Sequence, residues 1–177
     1  MFRISSLRYI LMFIILVLLQ VVILNSISFL SFAIPLVYIY FIIKLPIRLS
    51  QSAMLLLGFA LGFAIDIFSN TPGINAAATT LLAMVRRPIM SIFFLTEDYA
   101  ETEPAISTLG ISTFVKYIIL MLLVHIIALV ALESFSFFNI KLILLRVVCS
   151  TAISAVLILG FEGFSTSKQS NKTWRKV

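Results

Sequence analysis

The sequence predicts an all-α membrane protein with six transmembrane helices. Of its 177 residues, 62% are hydrophobic and only 11% are charged, whereas a soluble surface needs many more charges. Several apolar runs approach the ~20 residues that cross the hydrocarbon core of a bilayer. No polar segment is long enough to bury a core of its own. We therefore expect one transmembrane domain, residues 1–164, followed by a basic, disordered cytoplasmic tail, residues 165–177.

The first three predicted helices cover residues 7–24, 29–45 and 53–69. The first apolar run lacks a small-residue cleavage site, so we interpret it as a retained helix rather than a signal peptide. Gln20 lies inside it, where a buried amide more often bonds to a neighbouring helix than to a ligand. Pro35 falls near the start of the second helix, where a proline costs least.

The fourth predicted helix begins at Asn75, and its apolar character is interrupted by Arg86, Arg87 and Pro88. A proline inside a helix removes a backbone hydrogen bond and kinks or breaks the helix. Arginines near a helix end can extend their charged groups to the membrane surface. We therefore expect a kinked or broken helix whose later half lies near the cytoplasmic interface.

An acidic loop separates this helix from the last two, which are predicted over residues 111–132 and 141–161. The loop is either a solvated connector or a docking surface for a basic segment of a partner. It holds four of the seven acids of the chain: Glu97, Asp98, Glu101 and Glu103.

The lysines and arginines predict the orientation. In the six-helix arrangement, eleven of the thirteen fall on the side of the two termini, and only Lys141 and Arg146 fall on the other side. The positive-inside rule then makes both termini cytoplasmic. We therefore attribute the net charge of +6 to the orientation of the chain in the membrane, and we expect no nucleic-acid partner. The single cysteine, Cys149, cannot form an internal disulfide.

Two glycines and a carboxylate mark the third helix as the centre of the chain. Gly58, Gly62 and Asp66 recur every four residues and therefore lie along one helix face. Glycines at this spacing allow a neighbouring helix to approach closely. Because a charge that faces lipid is costly, Asp66 must point into the bundle.

A turn at Pro72-Gly73 follows the third helix. Asn75 is placed to cap the fourth helix, which opens with small residues from Ala76 onwards that can pack against the glycine face. The N-terminus of that helix brings free amides and the positive end of its dipole near Asp66. We therefore interpret Asp66 chiefly as a structural anchor.

The remaining intramembrane charges need partners. We predict that Arg146 is neutralised by Asp66 or Glu133, because an unpaired arginine in a membrane is costly. His125 lies about two turns below Glu133; it either bonds to a neighbouring helix or joins these two acids in a proton path. The sequence contains no metal-ligand cluster, phosphate-binding loop or nucleophile–base pair. We therefore expect neither an enzyme nor a cofactor.

The third and fourth helices resemble the MreD family, the rod-shape-determining membrane proteins of bacterial cell-wall elongation. The family pattern is GFxxGxxxD followed by a (P/L)G-x-x-A turn. The matching residues are Gly58, Phe59, Gly62, Phe63, Asp66, Ile67, Phe68, Pro72, Gly73, Ile74, Asn75 and Ala76. Many relatives have histidine or another polar residue where this chain has Asn75. Size, six apolar spans and the absence of soluble domains agree over nearly the whole chain.

The resemblance implies a location and partners. An MreD-like protein lies in the bacterial cytoplasmic (inner) membrane and associates with the single-span protein MreC. Through MreC it reaches MreB filaments, the RodA glycosyltransferase and a penicillin-binding transpeptidase. The resemblance also implies a six-helix bundle similar to the substrate-binding components of energy-coupling-factor transporters.

Two functions follow from these observations. The first is a non-enzymatic scaffold that docks MreC and helps to position peptidoglycan synthases, with lipid as its surroundings. The alternative is a membrane transport component that binds a small molecule or a lipid. A transport component should have a cavity with convergent polar groups, whereas a scaffold should have an apolar, small-residue groove on its lipid-facing surface.

Overall fold

A computed structural model describes residues 2–24, 34–47, 49–93, 103–133 and 140–173, with side chains described between residues 7 and 163 of these ranges. All regular structure in the described ranges is helical. Five helical segments of these ranges are long and apolar enough to cross a membrane, so the chain is a multi-pass membrane protein. The helices are α1 (Phe2–Leu18), continued by a π-helical stretch (Leu19–Leu24), α2 (Tyr40–Lys44), α3 (Gln51–Ser69), α4 (Ile74–Phe93), α5 (Ile106–Leu109), α6 (Ile111–Glu133) and α7 (Ile140–Thr173).

Three predicted helices agree closely with the structure. The first prediction ends, as observed, at Leu24, although its last six residues are π-helical. The third and fifth predictions differ from α3 and α6 by at most two residues at either end. Local chemistry explains the bounds of α3: Ser50 Oγ accepts a hydrogen bond from Ala53 N, and Asn70 ends the helix in the left-handed conformation, with φ 53°, a common helix stop.

The segment at residues 34–47 differs most from its prediction. The predicted second helix begins at Phe29, which lies outside the described residues. Within residues 34–47 only the five residues of α2 are helical, and residues 34–37 have no regular structure. Residues 36–45 are all buried. Non-helical backbone is tolerated in a membrane only where protein or a water-filled cavity surrounds it, and this segment runs through the interior of the bundle.

The fourth helix runs without interruption through Pro88, so of the predicted kink or break, the break is wrong. Proline lacks the N–H that would bond to the carbonyl of Met84. Gln51 supplies a donor instead: its Nε2 lies 3.3 Å from the carbonyl oxygens of both Ala83 and Met84. Arg86 does not extend to the surface but is fully buried.

The last helix is longer than predicted. α7 has 34 residues and continues to Thr173. The prediction of a disordered tail is therefore wrong for residues 165–173, which are helical. At 1.5 Å per residue the helix is roughly 50 Å long, more than the ~30 Å core of a bilayer. The final four residues lie outside the described ranges.

Helices α3 and α4 pack at very close range, as the glycine spacing predicts. A Cβ atom on Gly62 would lie 2.3 Å from the carbonyl oxygen of Asn75 and 2.5 Å from Cα of Ala76. A Cβ on Gly58 would lie 2.8 Å from Cβ of Ala83. The glycine face of α3 therefore contacts the backbone of the small-residue stretch of α4 directly.

This contact predicts a graded effect of alanine. We expect Gly62→Ala to destabilise the protein by about 1–3 kcal/mol, the usual cost of overpacking, and Gly58→Ala to cost less. Gly160 and Gly163 of α7 are matched controls, because nothing lies within 4 Å of a Cβ built on either of them. Alanine there should be neutral or stabilising by up to about 1 kcal/mol. Unfolding in mixed micelles, followed by circular dichroism, ranks the variants by their stability. Equal effects of alanine at Gly62 and Gly160 would refute the close packing.

Candidate functional site

The Asp66 carboxylate closes the hairpin between α3 and α4. Its Oδ1 accepts hydrogen bonds from Thr71 Oγ1 at 2.8 Å and from both nitrogens of Asn75 at 3.0 Å. Its Oδ2 accepts one from Ala76 N at 2.8 Å. The cap of α4 is therefore Asp66, and not Asn75 as its position in the sequence suggests. The negative charge also faces the positive end of the α4 dipole.

Pro72 and Gly73 form the turn that returns the chain to this carboxylate. Gly73 has φ +81°, a conformation that side chains other than glycine rarely adopt. The turn places the first amides of α4 within reach of Asp66, so the family-like motif folds as one hydrogen-bonded unit.

Asn75 extends this unit into the bundle. Its Oδ1 accepts a hydrogen bond from the Tyr38 hydroxyl at 2.9 Å, and that hydroxyl lies 2.9 Å from Nε2 of His125. Because the tyrosine proton points to Asn75, its oxygen accepts the Nε2 proton of His125. The result is a buried chain of hydrogen bonds from α3 through α4 and residues 34–47 to α6.

This chain differs from the proton path considered from the sequence. Among the described residues, His125 is linked to Asp66 through the Tyr38 hydroxyl and the amide of Asn75, and the amide has no titratable proton. Glu133 instead forms an ion pair with Arg146, with Nη2 and Oε2 2.7 Å apart. Of the two acids predicted for Arg146, the structure therefore pairs it with Glu133, and Asp66 has a separate role. The arrangement fits a structural bond network better than a proton relay.

Side chains from two helices hold the irregular backbone at residues 34–37. The Gln20 amide donates to Pro35 O at 2.9 Å and accepts from Val37 N at 3.0 Å. It thus bonds to the backbone in the way that the backbone of a neighbouring β-strand does. From α7, Ser150 Oγ accepts from Ile34 N at 3.1 Å and Ser154 Oγ from Leu36 N at 2.9 Å. These bonds replace the intrahelical bonds that the segment lacks, so Gln20 acts as the structural partner that its position suggested.

A cavity of about 390 Å³ lies beside this segment. It is bounded by the π-helical end of α1, the ends of α3 and α6, and the first turn of α4. Its polar lining residues are Gln20, Tyr38, Ser69, Thr71, Asn75 and Glu133. Its volume lies within the range of small-molecule sites, about 300–1,000 Å³.

A buried ion pair anchors the opposite end of the segment. Lys44 Nζ lies 3.1 Å from Glu162 Oε1 on α7, and the two side chains are 6% and 2% exposed. Tyr40 donates to Glu162 Oε2 at 2.6 Å, and Lys44 also donates to Pro104 O at 3.1 Å. The pair therefore joins α2, α7 and the start of the described loop after α4.

Glu162 is a buried acid that the sequence analysis missed. The predicted sixth helix ended at Phe161, one residue before Glu162, whereas α7 continues to Thr173. The signal that could have found it is an acid between two glycines in the continuation of an apolar run, since an ionisable residue in a membrane helix usually has a named partner.

Arg86 stabilises the same end of the segment. Its Nη2 donates to the carbonyl oxygens of Ile43 and Leu45, where α2 ends and those carbonyls lack partners within the helix. Arg87, on the exposed side, donates to Leu49 O at 2.9 Å. The arginine pair thus supports the backbone around Pro46.

The acidic loop is described only in part. Glu97, Asp98 and Glu101 lie outside the described residues. Glu103 pairs with α1: its carboxylate lies 3.1 Å from Arg8 Nη1 and accepts from the Tyr9 hydroxyl at 2.6 Å. Glu103 is therefore engaged within the chain, and a docking role for the loop stays a prediction.

The two aromatic residues of the family-like motif point outward. Phe59 and Phe63 are 49% and 51% exposed, and their rings are stacked with centroids 5.8 Å apart. Gly58, Gly62 and Asp66 of the same helix are all buried. The glycines and Asp66 of the motif therefore lie on the face of α3 that packs inside the bundle, and the two phenylalanines lie on its exposed face.

Among the described residues, no group of three or more His, Cys, Asp or Glu side chains could hold a metal ion. Comparison of the chain with protein-family models, curated proteins and solved structures finds no match.

Proposed function

We propose that this chain is a non-enzymatic, MreD-type component of the bacterial cell-wall elongation machinery. One observation carries the proposal: the motif that resembles the MreD family folds as a unit, with its glycines and Asp66 turned inward and its two phenylalanines outward. The inward residues are accounted for by the packing of α3 on α4. The outward pair is not needed for that packing, which supports a role in contact with another membrane helix.

In this proposal the outer face of α3 docks the single span of MreC. Leu56, Phe59, Phe63 and Ile67 lie along this face and are all exposed. Van der Waals packing drives helix association in lipid, and two rigid aromatic rings offer a large contact surface. Docking of MreC would in turn help to position RodA, the transpeptidase and MreB filaments.

We also propose that the chain crosses the inner membrane six times, as a bundle similar to energy-coupling-factor substrate-binding components. Residues 34–47 support this number. They run from the cavity at one end of the bundle to the Lys44–Glu162 ion pair at the opposite end. Together with the five long helices, this segment makes six crossings. With an even number of crossings, both termini lie on one side, and the positive-inside rule makes it the cytoplasmic side.

Cell shape tests the proposal. Removal of the protein from its native host should convert rods into rounded cells, and return of the intact chain should restore rods. We expect the Phe59→Ala/Phe63→Ala double variant to reach the membrane in normal amounts but to fail to restore shape. Leu144→Ala, an equally exposed site on α7, is the control and should restore it. Rod shape that persists without the protein would contradict the proposal.

The cavity favours a second candidate, a transport component for a small molecule or a lipid. Its polar groups do converge on a space of about 390 Å³, as expected of a ligand site. However, Gln20 and Asn75 bond to other parts of the chain, which leaves less of their capacity for a ligand. In the shape experiment, a transport component would leave rods intact and alter uptake of its ligand.

A further inference from the structure

The Glu133–Arg146 ion pair lies at the edge of the cavity. Glu133 lines the cavity, and Arg146 of α7 pairs with Glu133, with Nη2 2.7 Å from Oε2. The two side chains are 25% and 28% exposed, so both are accessible from outside the bundle. The pair is therefore unlike Lys44–Glu162, which is sealed inside.

Within the part of the chain that the structure describes, this ion pair leaves much of its hydrogen-bonding capacity unused. A carboxylate accepts up to four hydrogen bonds and a guanidinium donates five. The one contact between the two groups within the described residues joins Nη2 to Oε2. A second cation can therefore bind Glu133 while a second anion binds Arg146, without breaking the pair.

The cavity beside the pair has an apolar wall. Leu24, Ile34, Ile65, Phe68 and Leu129 contribute to it. A molecule that fits has adjacent positive and negative groups at the ion pair and an apolar part against this wall. At the end of membrane-spanning helices, phospholipids with an ammonium and a phosphate in one headgroup have this chemistry, since guanidinium binds phosphate in bidentate fashion.

We propose that the cavity binds a zwitterionic, primary-amine phospholipid, with its ammonium on Glu133, its phosphate on Arg146 and the start of one acyl chain against the apolar wall. A volume of about 390 Å³ is at the lower end of the range for ligand sites, so the remainder of the lipid stays in the bilayer. This inference is independent of the docking of MreC, because it concerns another face and is measured on the purified protein.

Native mass spectrometry of the detergent-purified full chain tests it. The protein is incubated separately with phosphatidylethanolamine, phosphatidylcholine and phosphatidylglycerol, and the retained adduct is measured. We expect phosphatidylethanolamine to be retained most strongly. Glu133→Gln and Arg146→Gln should each weaken its retention about tenfold, because each removes a charge-assisted bond. Lys141→Gln, which removes an exposed cation of the same helix, is the control and should leave retention unchanged.

A third variant keeps the test valid if loss of either charge disturbs folding. Leu129→Phe fills part of the cavity and leaves the ion pair intact, so it too should weaken retention of phosphatidylethanolamine. Equal retention of all three lipids, preference for phosphatidylglycerol, or full retention of phosphatidylethanolamine by Leu129→Phe would overturn the proposal.

Discussion

Replacement of Lys44 by methionine should cost about 3–5 kcal/mol of stability, because it leaves the Glu162 carboxylate buried without its cation. Both side chains are almost completely buried, so water cannot replace the lost partner. Glu162→Gln should also destabilise, but less, because its amide can still bond to the Tyr40 hydroxyl. Unfolding in mixed micelles of dodecyl maltoside and sodium dodecyl sulfate, followed by circular dichroism, measures these differences.

Two further variants test whether the cost arises from the burial of the ion pair. The double variant Lys44→Met/Glu162→Gln should be more stable than the sum of the single changes implies, since neither partner is then left as an unpaired charge. Arg8→Gln breaks the pair with Glu103, in which Arg8 is 58% exposed, and should cost only about 0–1 kcal/mol. Strict additivity, or similar costs for Lys44 and Arg8, would contradict the burial of the pair.

Replacement of Asp66 by alanine should cost about 3 kcal/mol. The change removes four hydrogen bonds to a carboxylate, each to a donor at the hairpin, and loss of a helix cap alone costs about 0.5–2 kcal/mol. The buried backbone N–H groups of Asn75 and Ala76 would also lose their acceptor, which adds to the cost. Asp66→Asn should have an intermediate effect, because the amide keeps one acceptor oxygen but loses the charge.

Ile67→Ala is the matched control for Asp66. Ile67 follows Asp66 in the same helix but is 62% exposed, so its truncation should have little effect in a micelle. The same unfolding assay applies. If Asp66→Ala unfolded with the same midpoint as Ile67→Ala, the carboxylate would not close the hairpin.

The hairpin could be predicted from the sequence because its determinants are local. Gly58, Gly62 and Asp66 lie on one face of a single helix, and the turn returns the chain within ten residues of the carboxylate. Helix periodicity and the dipole of the next helix then suffice to bring Asp66 to the α4 N-terminus. Only the identity of the cap differs, because Asn75 and Asp66 are both suitable acceptors.

The irregular segment could not be predicted because its determinants are distant. Residues 34–45 are uniformly apolar apart from Tyr38, Tyr40 and Lys44, and such a run is equally suited to a membrane helix. Its backbone is instead held by Gln20 of the first helix and by Ser150 and Ser154 of α7. These serines lie more than 110 residues away in the sequence, and no local pattern identifies them as partners.

Pro88 illustrates the same limit. A proline inside a membrane helix predicts a kink or break by its own chemistry. The Met84 carbonyl, which loses its donor, accepts a hydrogen bond from Gln51, more than 30 residues earlier. The close approach of α3 and α4, created by the glycines, brings the two sites together, so the helix continues.

Partner capture from the outer face of α3 tests the central claim of the proposed function most directly. A photo-crosslinking residue at position 59 or 63, introduced in the native host, lies on the exposed aromatic face. The same residue at position 144 of α7 is the control. The proposal predicts that MreC is captured from positions 59 and 63 but not from position 144. Capture of lipid alone from the α3 face, or equal capture of MreC from position 144, would contradict it.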